Sequence, residues 1–140
     1  MARLTFRVEA TKSKSGVHAE RRLVIVFRSN GRVERIITGG DRVKGTYSRG
    51  SAWISSIDLE PGDVAVYIRL VRGPRGRIGG YAEVYDHEGK MVFRAVIRKR
   101  KARASIGDPS YSGYVEKAIE LIGLGDFIRK YNWSTAPRRG

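Results

Sequence analysis

The chain has 140 residues and is 41% hydrophobic, enough for one folded domain with its own core and too apolar for a disordered chain. Its 28 Lys and Arg against 14 Asp and Glu leave a net charge of +14, an excess that opposes compaction unless a polyanion relieves it. The absence of cysteine excludes disulfides, Cys-bearing zinc sites and thiol catalysis.

Arginine outnumbers lysine, 20 to 8. Guanidinium forks hold phosphate bidentately and stack on bases, so the bias favours nucleic acid over mere solubility, although a GC-rich genome also enriches arginine. The chain has no Gln and only two Asn, Asn30 and Asn132, a scarcity compatible with a thermophilic source. No apolar run approaches the ~18–20 residues of a membrane span, and Met1 to Phe6 lacks the apolar stretch of a signal peptide. A cytoplasmic protein with no membrane partner is expected.

In chain order, Arg3 to Ala10 alternates, with Leu4, Phe6 and Val8 on one side, and predicts a half-buried strand. A polar loop follows, then an apolar strand from Arg21 to Arg28. Asn30-Gly31 predicts a type I′ hairpin leading into a strand over Arg32 to Thr38, because that turn needs two residues with positive φ. Gly39 to Ser51 reads as a long basic loop. Strand patterning resumes from Trp53 to Leu59, and Glu60-Pro61-Gly62-Asp63 is a turn. Asp63 to Arg72 is a strand whose Val64, Val66, Ile68 and Leu70 face a core. Gly73 to Gly80 is a basic loop, Tyr81 to Tyr85 a strand, Asp86 to Gly89 a turn, and Lys90 to about Arg100 one long strand. Ser105 to Ser112 reads as a loop. Helical spacing of Tyr114, Val115, Ala118, Ile119 and Ile122 predicts a helix from Gly113 with Ser112 as N-cap, and Asp126 to Tyr131 suggests a second helical piece. Many strands followed by a helix predict an α+β fold, an antiparallel β-sheet of about five to seven strands with a C-terminal helical segment packed on one face. One domain over 1–132 and a basic tail over 133–140 complete the expected layout.

The expected site is a platform on the sheet. Tyr67, Arg69, Tyr81, Tyr85, Arg94 and Arg98 share one face if neighbouring strands pair, and single-strand binders interleave rings for bases with cations for phosphates. Such residues also suit any exposed sheet face, where they form cross-strand pairs. The run Arg98, Lys99, Arg100, Lys101 with Arg103 repels itself unless neutralised, which points to phosphate, although charge runs are commonly just solvated. Arg75 and Arg77 within the glycine-rich loop Gly73–Gly80, and Arg72 just before it, bring charge to it; that loop and Gly39–Gly50 either approach phosphate or merely connect strands, and neither is a P-loop. Trp53, like Trp133 and Tyr131, is a candidate for core, subunit contact or base stack. Of two histidines, His18 lies in a polar loop and His87 in a turn between Asp86 and Glu88, with no metal-ligand spacing, and the acids are scattered. No catalytic residue, metal, cofactor or small-molecule substrate is expected.

In size, in lack of cysteine, and in a basic β-rich body (YAEVYDHEGKMVFRAVIRKRKARA) followed by a helical end (YVEKAIELIGLGDFIRK), the chain resembles the archaeal ThermoDBP-related single-stranded DNA-binding proteins. The resemblance covers most of the chain and rests on arrangement, so no residue roles come from it. It implies binding of single strands in a basic cleft or tunnel with exposed apolar and aromatic side chains, and a homo-oligomer. The resulting expectation is a non-enzymatic binder of single-stranded nucleic acid, DNA favoured, with little sequence preference. The alternatives are a structural or ribosome-associated RNA-binding protein, which would prefer folded RNA, and a subunit whose basic face meets an acidic protein.

Overall fold

A computed structural model describes residues 2–9, 19–37, 52–72 and 78–134. The strands are β1 (Ala2–Glu9), β2 (Ala19–Phe27), β3 (Val33–Ile37), β4 (Ala52–Leu59), β5 (Val64–Arg72), β6 (Ile78–Tyr85), β7 (Met91–Arg98), β8 (Lys101–Gly107) and β9 (Lys130–Asn132). A 3₁₀ turn, Pro109–Tyr111, runs into the helix α1 (Ser112–Leu121). The α+β architecture is the one that the order of the patterns predicts. Seven strands form the main sheet in the order β3-β2-β5-β6-β7-β8-β9, while β1 and β4 pair separately. Neighbours in the main sheet run antiparallel except β8 and β9, which are parallel.

Period-two patterning puts Leu23 and Ile25 of β2, Val66 and Ile68 of β5, Val84 of β6, and Phe93 and Ile97 of β7 on one face. Helix α1 covers that face with Val115, Ala118 and Ile119. Val24, Val26, Ala65 and Tyr67 alternate onto the opposite face, where Leu59 of β4 joins them in a second, smaller core. This second core is why β2 reads as continuously apolar.

Several boundaries differ from the sequence reading. The β2–β3 hairpin forms, but Arg28 O accepts from Gly31 N at 2.9 Å and Arg28 N donates to Arg32 O at 2.8 Å. This is a three-residue loop in which Gly31, at φ +95, alone takes the left-handed conformation, so a bulged type I turn replaces the expected type I′. The strand expected over Lys90 to about Arg100 forms as β7, Met91–Arg98, and Lys99 (φ 54) and Arg100 (φ 65) then make a two-residue turn between the paired Arg98 and Lys101, after which the chain returns as β8. No glycine or asparagine marks that turn, and β8 therefore occupies residues read as a charge run and a loop.

Ser112 begins α1 rather than capping it. The capping oxygen is Asp108 Oδ1, which accepts from Ser110 N at 2.9 Å at the start of the 3₁₀ turn. The helix ends in a Schellman arrangement: Leu124 N donates to Ile119 O and Gly123 N to Glu120 O, both at 3.0 Å. The second helical piece expected over Asp126 to Tyr131 is instead a turn leading into β9. Trp133, expected in the tail, packs edge-on to Phe93 at 5.7 Å and donates its indole N–H to Glu116 Oε2. The body of the fold thus extends at least one residue beyond the expected boundary.

Candidate nucleic-acid interface

Register decides which side chains share the face opposite α1. In β5 that face carries Ala65, Tyr67, Arg69 and Val71; in β6, Tyr81, Glu83 and Tyr85; in β7, Arg94, Val96 and Arg98; in β8, Lys101 and Arg103. The strand reading put Tyr67, Arg69, Tyr81, Tyr85, Arg94 and Arg98 on one face, and the register agrees; pairing with β8 adds Lys101 and Arg103 to it. The shared face is not an open platform throughout.

Tyr67 is only 8% exposed and belongs to the small core with Val24, Val26, Leu59 and Ala65. Its ring lies 6.2 Å from that of Tyr81, and it lacks the exposure that base stacking asks of it. Tyr85 is half-buried and donates its hydroxyl to Glu83 Oε1 at 2.9 Å; burial first, then that carboxylate, pushes its phenol above the usual tyrosine range. Arg94 lays its guanidinium 4.6 Å from the Tyr81 ring centroid. Its Nε stands 3.6 Å from Glu83 Oε2, which is an ion pair but too long for a hydrogen bond, and that buried Nε has no hydrogen-bond partner. Tyr67, Tyr85 and Arg94, half of the expected platform, are therefore engaged within the fold. Tyr81 is the tyrosine of the three that is neither buried nor tied by its hydroxyl.

The β7–β8 end is different. Arg98 lies directly opposite Lys101, and Lys101 lies beside Lys130 in the parallel register of β9. All three are exposed, and they form a row across three strands about 4.8 Å apart. Arg103 stands in the next row, opposite Val96. Val96, Arg98, Lys99, Lys101 and Arg103 line a depression of about 290 Å³. Arg98, Lys99, Lys101, Arg103 and Lys130 take part in no ion pair among the described residues. Ile106, 56% exposed and opposite Arg94, adds apolar surface on the same face. The run of like charges is thus folded back on itself, which concentrates the repulsion that the sequence displays. Like charges placed opposite each other destabilise a sheet. Two bulky residues in the left-handed region add roughly 1–2 kcal/mol each.

Arg100 leaves this cluster. Its Nε donates to Phe127 O at 2.9 Å and its guanidinium covers the Phe127 ring at 4.6 Å. Arg100, expected at phosphate, contacts the C-terminal segment in the fold. Lys130 was missed as a site residue because only parallel pairing with β8 brings it alongside Lys101, 29 positions away, and no local pattern announces that pairing. Arg72 ends β5 with Ile78 and Ala19 as register partners. Trp53 pairs with Val8 in the separate β1–β4 ribbon. Arg75, Arg77, His18 and the loop Gly39–Gly50 lie outside the described residues, as does the end of the tail.

A larger groove of about 740 Å³ lies between the β2–β3 hairpin and α1, against Phe27, Arg28, Tyr114 and Leu121. Arg28 there is fully engaged. It forks onto Glu34 at 3.0 and 3.1 Å and donates through Nη1 to Asp63 Oδ2 and Asp58 O, both at 2.8 Å. With Glu120 also in its lining, that groove offers a polyanion less than the smaller depression does. His87 and Glu88 approach only to 3.9 Å at an exposed turn, and no group of three or more His, Cys, Asp or Glu side chains able to hold a metal occurs among the described residues. No helix among them is long and apolar enough to cross a membrane.

No family model, curated protein or solved structure matches the chain.

Proposed function

We propose that the chain binds single-stranded nucleic acid without acting on it chemically, along the β7–β8–β9 end of the sheet face opposite α1. The observation that carries the reading is the row Arg98, Lys101 and Lys130, flanked by Lys99 and Arg103, with no acid paired to any of them among the described residues. Phosphates along a strand supply the missing counter-charge and relieve the repulsion, and bound counterions are released as they do so. Tyr81 and Val96, one row along, and the exposed Ile106 beyond them on the same face, offer apolar surface to exposed bases. A duplex buries its bases and leaves these side chains unused.

Binding of fluorescein-labelled oligothymidylate, duplex DNA and a hairpin RNA across a salt series tests this. Five phosphate-contacting cations predict a slope of about −3.5 in log K against log salt for the single strand, ~0.7 for each. Tyr81→Leu is expected to weaken single-strand binding about ten-fold while the slope stays constant, since stacking is worth roughly 1–3 kcal/mol per base. Equal binding to all three, vanishing at high salt, would reduce the face to a generic basic surface. Preference for the hairpin RNA would favour a structural RNA-binding role.

A further inference from the structure

The most basic stretch of the chain contains one cation that points elsewhere. Arg100 ties the C-terminal segment to the β7–β8 turn in three ways. Its Nε bonds the Phe127 carbonyl at 2.9 Å, its guanidinium plane covers the Phe127 ring at 4.6 Å, and its own carbonyl accepts from Arg129 N at 2.8 Å. Next along the chain comes Lys130, the first residue of β9. That strand has three residues, lies at the sheet edge and pairs in parallel, the weaker of the two ladders. So short a strand does not hold its own register. Beyond Arg100, it is held by the buried Ile128 before it and by Trp133 after it, whose ring meets Phe93 edge-on at 5.7 Å.

We infer that Arg100 is a positioning residue for nucleic-acid binding, one that sets Lys130 beside Lys101 through its grip on Phe127 and Arg129 and does not meet phosphate itself. The inference rests on the proposed phosphate-binding reading. It assigns opposite work to neighbours in one charge run: Arg98, Lys99 and Lys101 present charge, and Arg100 fixes where a distant lysine presents its own. The left-handed φ of 65 at Arg100 fits this role, since a turn conformation costly for a long side chain persists where that side chain is held by tertiary contacts.

The test uses the full chain, a labelled oligothymidylate 20-mer and salt titrations of wild type, Arg100→Lys, Lys130→Ala and the double variant. Arg100→Lys keeps the charge but loses the planar guanidinium and the Nε donor. It is expected to lower affinity roughly five-fold at 0.1 M salt and to reduce the salt slope by ~0.7, the loss of one cation, although no charge has been removed. Lys130→Ala should do the same, and the double variant should bind like either single one. Amide exchange at residues 129–132 should quicken in Arg100→Lys. Wild-type affinity and slope in Arg100→Lys, or losses that multiply in the double variant, would overturn the inference. Lys130→Ala alters an exposed edge position and is expected to fold, so unchanged binding by it would also overturn the inference. If wild type itself binds no oligonucleotide, the function falls and the inference with it; if wild type binds and Arg100→Lys matches it, the inference alone falls.

Discussion

The β2–β3 and β7–β8 hairpins both carry arginine at the turn, and they treat it in opposite ways. In the first, Arg28 is enclosed by the Glu34 and Asp63 carboxylates and the Asp58 carbonyl. Asp63, only 3% exposed, also accepts from Ser29 N and Glu60 N at 2.8 Å, so one carboxylate joins this hairpin to the β4–β5 turn. In the second, Arg98 faces Lys101, Lys101 flanks Lys130, and none of them pairs with an acid among the described residues. Backbone choice follows the same division. The stabilising hairpin uses Gly31 for its one left-handed residue, whereas the cationic hairpin places Lys99 and Arg100 there. Charge at one turn is spent on holding two strand pairs together; charge at the other destabilises the isolated chain and is available to a ligand. An arginine in a basic sequence has no fixed meaning until its neighbours are known.

The contrast can be broken most severely at Asp63. Asp63→Ala leaves Arg28 and two backbone N–H groups short of an acceptor, and it is expected to reduce stability by about 3 kcal/mol in urea denaturation. Nucleic-acid affinity of the protein that remains folded should not change.

Acid should weaken the same hairpin and leave the other untouched. The bidentate contact with Arg28 holds the Glu34 carboxyl below its ordinary 4.5. Asp63 lies below its ordinary 3.8, because the backbone donors of Glu60 and Ser29 and the Arg28 guanidinium together outweigh its burial, the largest single influence. Folded-state values lowered in this way contribute stability that is complete above the unfolded values and is lost as pH falls through the folded ones. Stability measured from pH 6 downward should therefore begin to decline near pH 4.5, and Asp63→Asn should flatten part of that decline. A decline that is unchanged in Asp63→Asn would remove this carboxylate from the account.

At the other hairpin the expected sign is reversed. Lys101→Thr removes a like charge opposite Arg98 and beside Lys130, and should raise stability by a few tenths to about 1 kcal/mol. The same change should reduce the single-strand salt slope by ~0.7. Lys99→Asn, which suits the left-handed turn, should stabilise the hairpin by roughly 0.5 kcal/mol, the smallest effect of the set, seen as a small rise in melting temperature. A loss of stability in both variants would mean that the cationic hairpin carries no internal cost.

The alternation of Val64 to Leu70, the helical spacing of Val115, Ala118 and Ile119, and the net charge of +14 were decisive without a structure. Each is a local pattern or a simple sum, and such features survive into any fold that buries apolar side chains and exposes charge. They determined an α+β sheet with one helical layer and placed Tyr67, Tyr81, Arg94 and Arg98 on a common face. The tertiary structure decided which members of that face remain accessible. Tyr67 is buried in the small core that Leu59, from a strand in the other sheet, helps to build, and Glu83 engages both Tyr85 and Arg94. It also decided where the charge run bends, since Lys99-Arg100 carries no turn chemistry and bends because β8 finds its partners along β7. The cation row gains Lys130 by the same means. Pairing between distant strands leaves no periodic trace in either one, so the composition of that row is settled only when the chain closes on itself.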